Sequence, residues 1–182
     1  MKKFIILLIF AFTACEKDDI FDDIGFYGEG TALLNGVEWK GKTGIFPLND
    51  PRFVNCLPDT CISILIQKYN DIGELRSKVL FHKIPLKIGL YLFNPIEPSF
   101  LDTFYRISYS EFTSDGDVVT GRYSLKEADS SYFLEIIELN KQSGDIRGKF
   151  HAKVVRDTAF IGTFPDTITI ENGNFYGKIN WK

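Results

Sequence analysis

The clearest pattern along the chain is a strict alternation of apolar and polar side chains. From Ile146 to Val154, apolar or small residues alternate with charged ones such as Arg147 and Lys149. Successive side chains of a strand point to opposite faces, so this pattern predicts a half-buried β-strand. The stretches 61–68 and 105–110 alternate in the same way and predict two further strands.

Two Asn-Gly pairs, Asn35-Gly36 and Asn172-Gly173, interrupt such runs. Asn and Gly tolerate the positive φ of tight hairpin turns, so each pair predicts a two-residue hairpin. The first would join strands over 31–34 and 37–39. The second would join strands over 166–171 and 175–181.

No segment keeps a helical period of 3.6 residues. The stretch 131–139 is apolar on both faces, which indicates a central or doubly covered strand. Pro85 and Gly89 interrupt the stretch 80–93, which predicts two short strands there. The sequence thus predicts nine to eleven strands and an all-β domain: an antiparallel meander closed into a calycin- or lipocalin-like barrel, or a β-sandwich. The hairpin-by-hairpin order favours the barrel.

The N-terminus has the pattern of a targeting segment. Lys2 and Lys3 precede the apolar run 4–12, which is too short to span a bilayer, and small residues precede Cys15. The sequence Phe12-Thr13-Ala14-Cys15 resembles a bacterial lipobox. That resemblance implies a signal peptide over 1–14, and a lipid on Cys15 as the membrane anchor.

Cys15-Glu16-Lys17-Asp18-Asp19 resembles the surface-export signal of Bacteroidota lipoproteins. The resemblance implies an outer-membrane protein that faces the medium, with Lys17, Asp18 and Asp19 as the signal. We expect an acidic tether over 15–29 and one domain over 30–182.

Charge is concentrated in the tether. The segment 16–29 has six acidic residues and one basic residue, whereas the chain from Gly30 has 18 of each. A neutral domain offers no electrostatic basis for binding nucleic acid. The expected partners are therefore the membrane, through the lipid, and an unknown small molecule or envelope protein.

Cys56 and Cys61 bracket a Pro-Asp turn, and we expect a disulfide between them in an oxidising compartment. A metal pair would need further Cys or His ligands nearby. A redox pair would normally have the spacing Cys-x-x-Cys. We predict neither a metal site nor a cofactor.

Nothing in the sequence identifies a catalytic residue. The two histidines, His82 and His151, stand in strands without a Gly-x-Ser-x-Gly or His-Glu-x-x-His motif. Aromatic side chains are the remaining candidates, because aromatics often line ligand pockets as well as cores. The candidate ligand-lining residues are Phe100, Phe104, Tyr105 and Tyr109.

A family resemblance follows from the order of four motifs: 34–39 (Leu-Asn-Gly-Val-Glu-Trp), 121–123 (Gly-Arg-Tyr), 148–150 (Gly-Lys-Phe) and 168–175 (Ile-Thr-Ile-Glu-Asn-Gly-Asn-Phe). Behind a lipobox, this order resembles the small uncharacterised β-rich lipoproteins of Bacteroidota. The family implies no activity and no site residues.

For a small lipid-anchored β domain we expect a ligand- or partner-binding module. The alternatives are a hydrolase or other enzyme with a site at one end of the barrel, and a structural envelope protein.

Overall fold

The computed structural model describes residues 25–48, 60–95, 105–159 and 165–181, which form ten strands and no helix. The strands are β1 (Glu29–Leu34), β2 (Val37–Pro47), β3 (Cys61–Tyr69), β4 (Leu75–Pro85), β5 (Gly89–Leu92), β6 (Arg106–Phe112), β7 (Val119–Ser124), β8 (Phe133–Leu139), β9 (Asp145–Ala159) and β10 (Thr167–Lys178).

Eight of the strands close into an antiparallel barrel, in the order β10, β1, β2, β3, β4, β6, β7, β9, with β9 paired back to β10. The prediction of an all-β antiparallel meander is confirmed, and the closed, calycin- or lipocalin-like barrel is the correct one of its two forms. Closure removes the exposed edges that an open sheet would leave.

The other two strands, β8 and β5, branch from the long strand β9. On one edge β9 pairs with β10 along most of its length. On its other edge it pairs with β8 from Ile146 to His151 and with β7 from Val155 to Ala159. Among the described residues β5 pairs only with β8, and it ends the sheet.

The barrel interior is filled by the apolar side of each alternating strand. Ile62, Ile64 and Ile66 of β3 are fully buried, as predicted. Phe81 and Phe150 meet at the centre with their ring centroids 4.9 Å apart. Burial of such side chains contributes about 1.5–3 kcal/mol each and is the main stabilising term.

The strand directions define two ends of the barrel. The upper end has the turns at 35–36, 70–74 and 113–118. The lower end has the turn at 140–144, residues 179–181 and the first described residues, 25–28. Phe26 is buried against Phe46, so packing contacts begin before Gly30.

The second predicted hairpin is wrong. Asn172-Gly173 lies inside the continuous strand β10, where the pairing with β9 and with β1 shifts register. Asn172 takes a left-handed φ of 51°, which makes the pair a β-bulge rather than a turn. Gly173 serves close packing, since a Cβ there would lie 2.3 Å from Cδ2 of Phe150.

Of the two forms predicted for 131–139, the central strand is confirmed, because β8 lies between β9 and β5, and the doubly covered strand is wrong. Only one face of β8 packs against the core. Leu134 and Ile136 on that inner face are buried, whereas Ile137 on the outer face is exposed. The apolar residues on the outer face of β8 therefore form part of an exposed apolar surface. They do not pack against a second layer of described strands. The first hairpin, at Asn35-Gly36, is confirmed.

Candidate functional site

A cavity of about 520 Å³ opens at the upper end of the barrel. Its walls come from the upper parts of β2, β3, β4 and β6 and from the turn between β3 and β4. The lining residues are Trp39, Lys68, Tyr69, Asn70, Asp71, Arg76, Ser77, Tyr109, Glu111 and Phe112. We call this cavity the upper pocket.

Polar side chains at the floor of the upper pocket form a cluster that contains two hydrogen bonds. Trp39 Nε1 donates to Ser77 Oγ at 2.8 Å, and the neighbouring Ser77 hydroxyl offsets part of the rise in the pKa of Tyr109. The Tyr109 hydroxyl donates to Glu111 Oε1 at 3.1 Å. The cluster therefore brings an indole donor and two hydroxyls close to a carboxylate acceptor.

Strand register explains why these groups meet. Ser77 pairs with Glu111, and Val79 pairs with Tyr109 one step further into the barrel. Paired positions share a face, so these residues point inward with the core. Trp39, Ser77 and Tyr109 are buried, so their polar atoms need hydrogen-bond partners inside the barrel.

Burial perturbs the ionisable groups of this site. Loss of solvent raises the pKa of Glu111, and the hydrogen bond from Tyr109 offsets part of that shift. The pKa of Tyr109 is raised by burial first and then by the neighbouring Glu111 carboxylate. Burial also raises the pKa of Tyr123, whose ring centroid lies 5.5 Å from that of Tyr109.

One oxygen of the carboxylate is left without a protein partner. Glu111 Oε2 is buried and accepts no hydrogen bond from any described residue. A buried unpaired acceptor costs roughly 1–3 kcal/mol. A ligand or a water molecule that donates to Oε2 would recover that energy.

The charged residues that line the upper pocket are balanced in number. Lys68 and Arg76 supply two cations, while Asp71 and Glu111 supply two carboxylates. Arg76 Nη1 donates to the carbonyl of Thr113 at 3.2 Å, which ties the β3–β4 and β6–β7 turns together. The balanced charge favours an uncharged or zwitterionic ligand over a strongly charged one.

Of the four residues predicted to line a ligand pocket, the structure describes two, and these two do not lie together. Tyr109 lines the upper pocket, whereas Tyr105 packs against Tyr91 with ring centroids 5.2 Å apart and is not among the pocket residues. Phe100 and Phe104 lie outside the described residues.

Sequence reasoning missed Trp39, Ser77 and Glu111. A signal for Glu111 was present, because it continues the alternation that puts Ile107 and Tyr109 on one face of β6. A carboxylate on an aromatic, inward face is unusual enough to mark a site. Nothing local distinguishes Trp39 or Ser77.

The histidines lie apart from the upper pocket. His82 Nδ1 is 3.0 Å from Ser63 Oγ on the neighbouring strand, and His151 packs near the Tyr132 ring. Within the described ranges, no group of three or more His, Cys, Asp or Glu side chains is arranged to hold a metal ion.

The predicted anchor and export signal, Cys15, Lys17, Asp18 and Asp19, lie outside the described residues. So does Cys56, while Cys61 is buried at the start of β3. The disulfide stays a prediction.

Comparison of the chain with family models, with curated proteins and with solved structures found no match in any of the three. In the part of the chain that the structure describes, no helix is long and apolar enough to cross a membrane.

Proposed function

We propose that this chain is a lipid-anchored lipoprotein of the outer-membrane surface whose barrel binds a small polar ligand in the upper pocket. The observation that carries the proposal is the unpartnered Glu111 Oε2, on the carboxylate that accepts a hydrogen bond from Tyr109 beside Trp39 and Ser77. A ligand hydroxyl, amide or ammonium group that donates to Oε2 would satisfy this last acceptor.

The pocket walls define the ligand further. Tyr69, Tyr109 and Phe112 offer aromatic surface, which suits a flat, partly apolar face. The other lining residues are mostly polar or charged, which suits a molecule with several hydrogen-bonding groups. Together with the balanced charge of the lining, this favours an uncharged or zwitterionic molecule such as a saccharide or an amino acid.

Trp39 can report on ligand binding directly. The chain has two tryptophans, so a Trp181→Phe variant leaves Trp39 as the single emitter. In that variant we expect a panel of neutral saccharides and zwitterionic amino acids to contain a compound that changes Trp39 emission and raises the thermal midpoint. Glu111→Gln should weaken that response, whereas Glu127→Gln, on an exposed loop, should not. A panel without a responding compound, or an unchanged response in Glu111→Gln, would contradict the proposal.

The raised pKa of Glu111 supports a second candidate function, an enzyme that uses this carboxyl as a general acid or base. The two functions differ in what Glu111→Gln removes. In an enzyme it abolishes product formation while binding persists in part. In a binding protein no compound of the panel is converted, in the natural chain or in the variant.

The anchor part of the proposal rests on the lipobox-like sequence that ends at Cys15 and on its resemblance to the Bacteroidota lipoproteins. Cys15→Ala should abolish membrane association in cells; tight membrane fractionation of that variant would contradict the anchor. Neutralising Lys17, Asp18 and Asp19 should remove protease accessibility on whole cells. If accessibility is unchanged, these residues are not the export signal.

The proposed disulfide between Cys56 and Cys61 can be checked on the purified mature protein. Both thiols should stay unreactive towards an alkylating reagent until a reductant is added. Alkylation without reductant would show that the bond is absent.

A further inference from the structure

Large apolar side chains are exposed together at the lower end of the barrel. Ile88 is 63% exposed, Tyr176 51% and Ile137 39%. All three line one groove of about 410 Å³, to which Leu139 and Arg147 also contribute. A contiguous apolar surface of this kind marks an interaction site more often than scattered single residues do.

Two neighbouring features extend this groove. Trp181 is 48% exposed and stands beside the β8–β9 turn, with its Nε1 3.3 Å from the position of a Cβ on Gly144. Leu90 and Leu92 continue the exposed row from Ile88 along β5, because alternate residues of a strand share a face. We call Ile88, Ile137, Tyr176 and Trp181 the lower apolar surface.

The N-terminal segment joins the barrel next to this surface. Gly28 lies against the backbone of Tyr176 and Gly177, and Gly25 lies against the side chain of Asn180. Residues 15–24 precede these contacts. Ten residues reach at most about 35 Å when fully extended. A lipid on Cys15 would therefore hold the lower end of the barrel close to the bilayer.

We propose that the lower apolar surface docks on the lipid bilayer that holds the Cys15 anchor, an inference that rests on the proposed lipidation. Tyr and Trp are enriched where membranes meet water, because their rings are apolar and their polar tips remain hydrated. Arg147 and Glu138 pair at 3.5 Å beside Ile137, and Asp145 adds a second carboxylate to the lining of the groove. Because a second carboxylate would be repelled by anionic lipids, this margin suits zwitterionic headgroups better.

Docking would set the direction of the upper pocket. The pocket is at the opposite end of the barrel from the lower apolar surface. With the lower end on the bilayer, the pocket opens away from the membrane, towards the medium. Ile72 and Val37 are also exposed, but they lie at the upper end, one in each of two different hairpins. They provide matched control positions.

The test uses the full lipidated protein in phosphatidylcholine vesicles with brominated acyl chains, which quench only tryptophans near the hydrocarbon. We expect quenching and a blue shift of Trp181, compared with the protein in vesicles of the same lipid without bromine. Trp181→Phe should remove the quenching, because Trp39 is buried at the upper end. Ile88→Glu combined with Ile137→Glu should reduce it, whereas Val37→Glu combined with Ile72→Glu should leave it unchanged.

The outcomes separate the anchor from the docking. Protein that fails to float with the vesicles contradicts the lipid anchor. Protein that floats but keeps an unquenched, solvent-exposed Trp181 overturns the docking and leaves the anchor intact. A blue shift of Trp181 that depends on protein concentration and not on lipid would show that a second copy of the chain covers this surface, and would also overturn the docking.

Discussion

Replacement of Gly173 by alanine should destabilise the barrel sharply. Gly173 lies in β10 between β9 and β1, and a Cβ there would stand 2.3 and 2.4 Å from two ring carbons of Phe150 and 2.6 Å from its carbonyl oxygen. Part of this contact is with the backbone of β9, which cannot shift without disturbing its pairing with β10, whereas a side-chain tip could rotate. Overpacking of a core costs about 1–3 kcal/mol, and the backbone contact puts this position near about 3 kcal/mol.

Gly177 provides a matched control on the same strand and the same face. A Cβ at Gly177 would meet the terminal Cδ1 of Ile45 at 2.9 Å, which a small rotation of that side chain relieves. Neither glycine has a left-handed φ, so both variants gain the same relief of chain entropy. We expect Gly177→Ala to cost about 1 kcal/mol or less.

Urea unfolding of the mature chain, followed by tryptophan emission, measures both costs. A loss of 1 kcal/mol in a domain of this size lowers the melting temperature by roughly 2–4 °C, so thermal unfolding provides a second measurement. Equal costs for the two variants would refute the reasoning that contact with Phe150 sets the cost at Gly173. A stabilised Gly173→Ala would refute it as well.

Three further predictions concern the upper end of the barrel. Burial raises the pKa of Glu111 above its ordinary 4.5, so its contribution to stability is present at low pH and is lost as pH rises through the raised pKa. The Glu111→Gln variant should therefore gain stability relative to the natural chain as pH rises. Parallel pH profiles of unfolding for the two proteins would contradict this. Trp39→Phe removes the hydrogen bond to Ser77 and should cost about 1–2 kcal/mol in urea unfolding, whereas an unchanged midpoint would show that the bond is not stabilising. Asn35→Ala loses the 2.8 Å hydrogen bond from the Thr169 N–H and forces a left-handed φ on alanine, so it should lower the free energy of unfolding by about 1–2 kcal/mol. Asn35→Gly should cost less, because glycine accepts that φ. The reverse order of costs would be inconsistent with the turn geometry.

Local patterns predicted most strands because each strand has one face in the core. The alternation over 146–154 and 61–68 reports burial directly, and the hairpin at Asn35-Gly36 needs only its own two residues. The same Asn-Gly pair failed at Asn172, because a left-handed asparagine serves a bulge as well as a turn. The difference lies in strand β1, which pairs with the other edge of β10 from more than 130 residues away.

The candidate site was harder to predict for the same reason. Trp39, Ser77 and Glu111 stand on three strands, and only the register between β4 and β6 and the closure of the barrel bring them together. The alternation of side chains along β6 indicates that Glu111 lies on the same face as Tyr109. No local signal indicates that an indole and a hydroxyl stand beside them.

Closure by the first and last strands has a consequence for the order of folding. β1 pairs with β10, from Glu29 with Tyr176 to Leu34 with Ile170, so the barrel cannot close before almost the whole chain has been synthesised. Contacts so distant in sequence form slowly, because most of the chain must be ordered to make them. Until then β1 and β9 each present an open edge to other chains. A chain shortened by its last strand should therefore aggregate rather than form a smaller barrel.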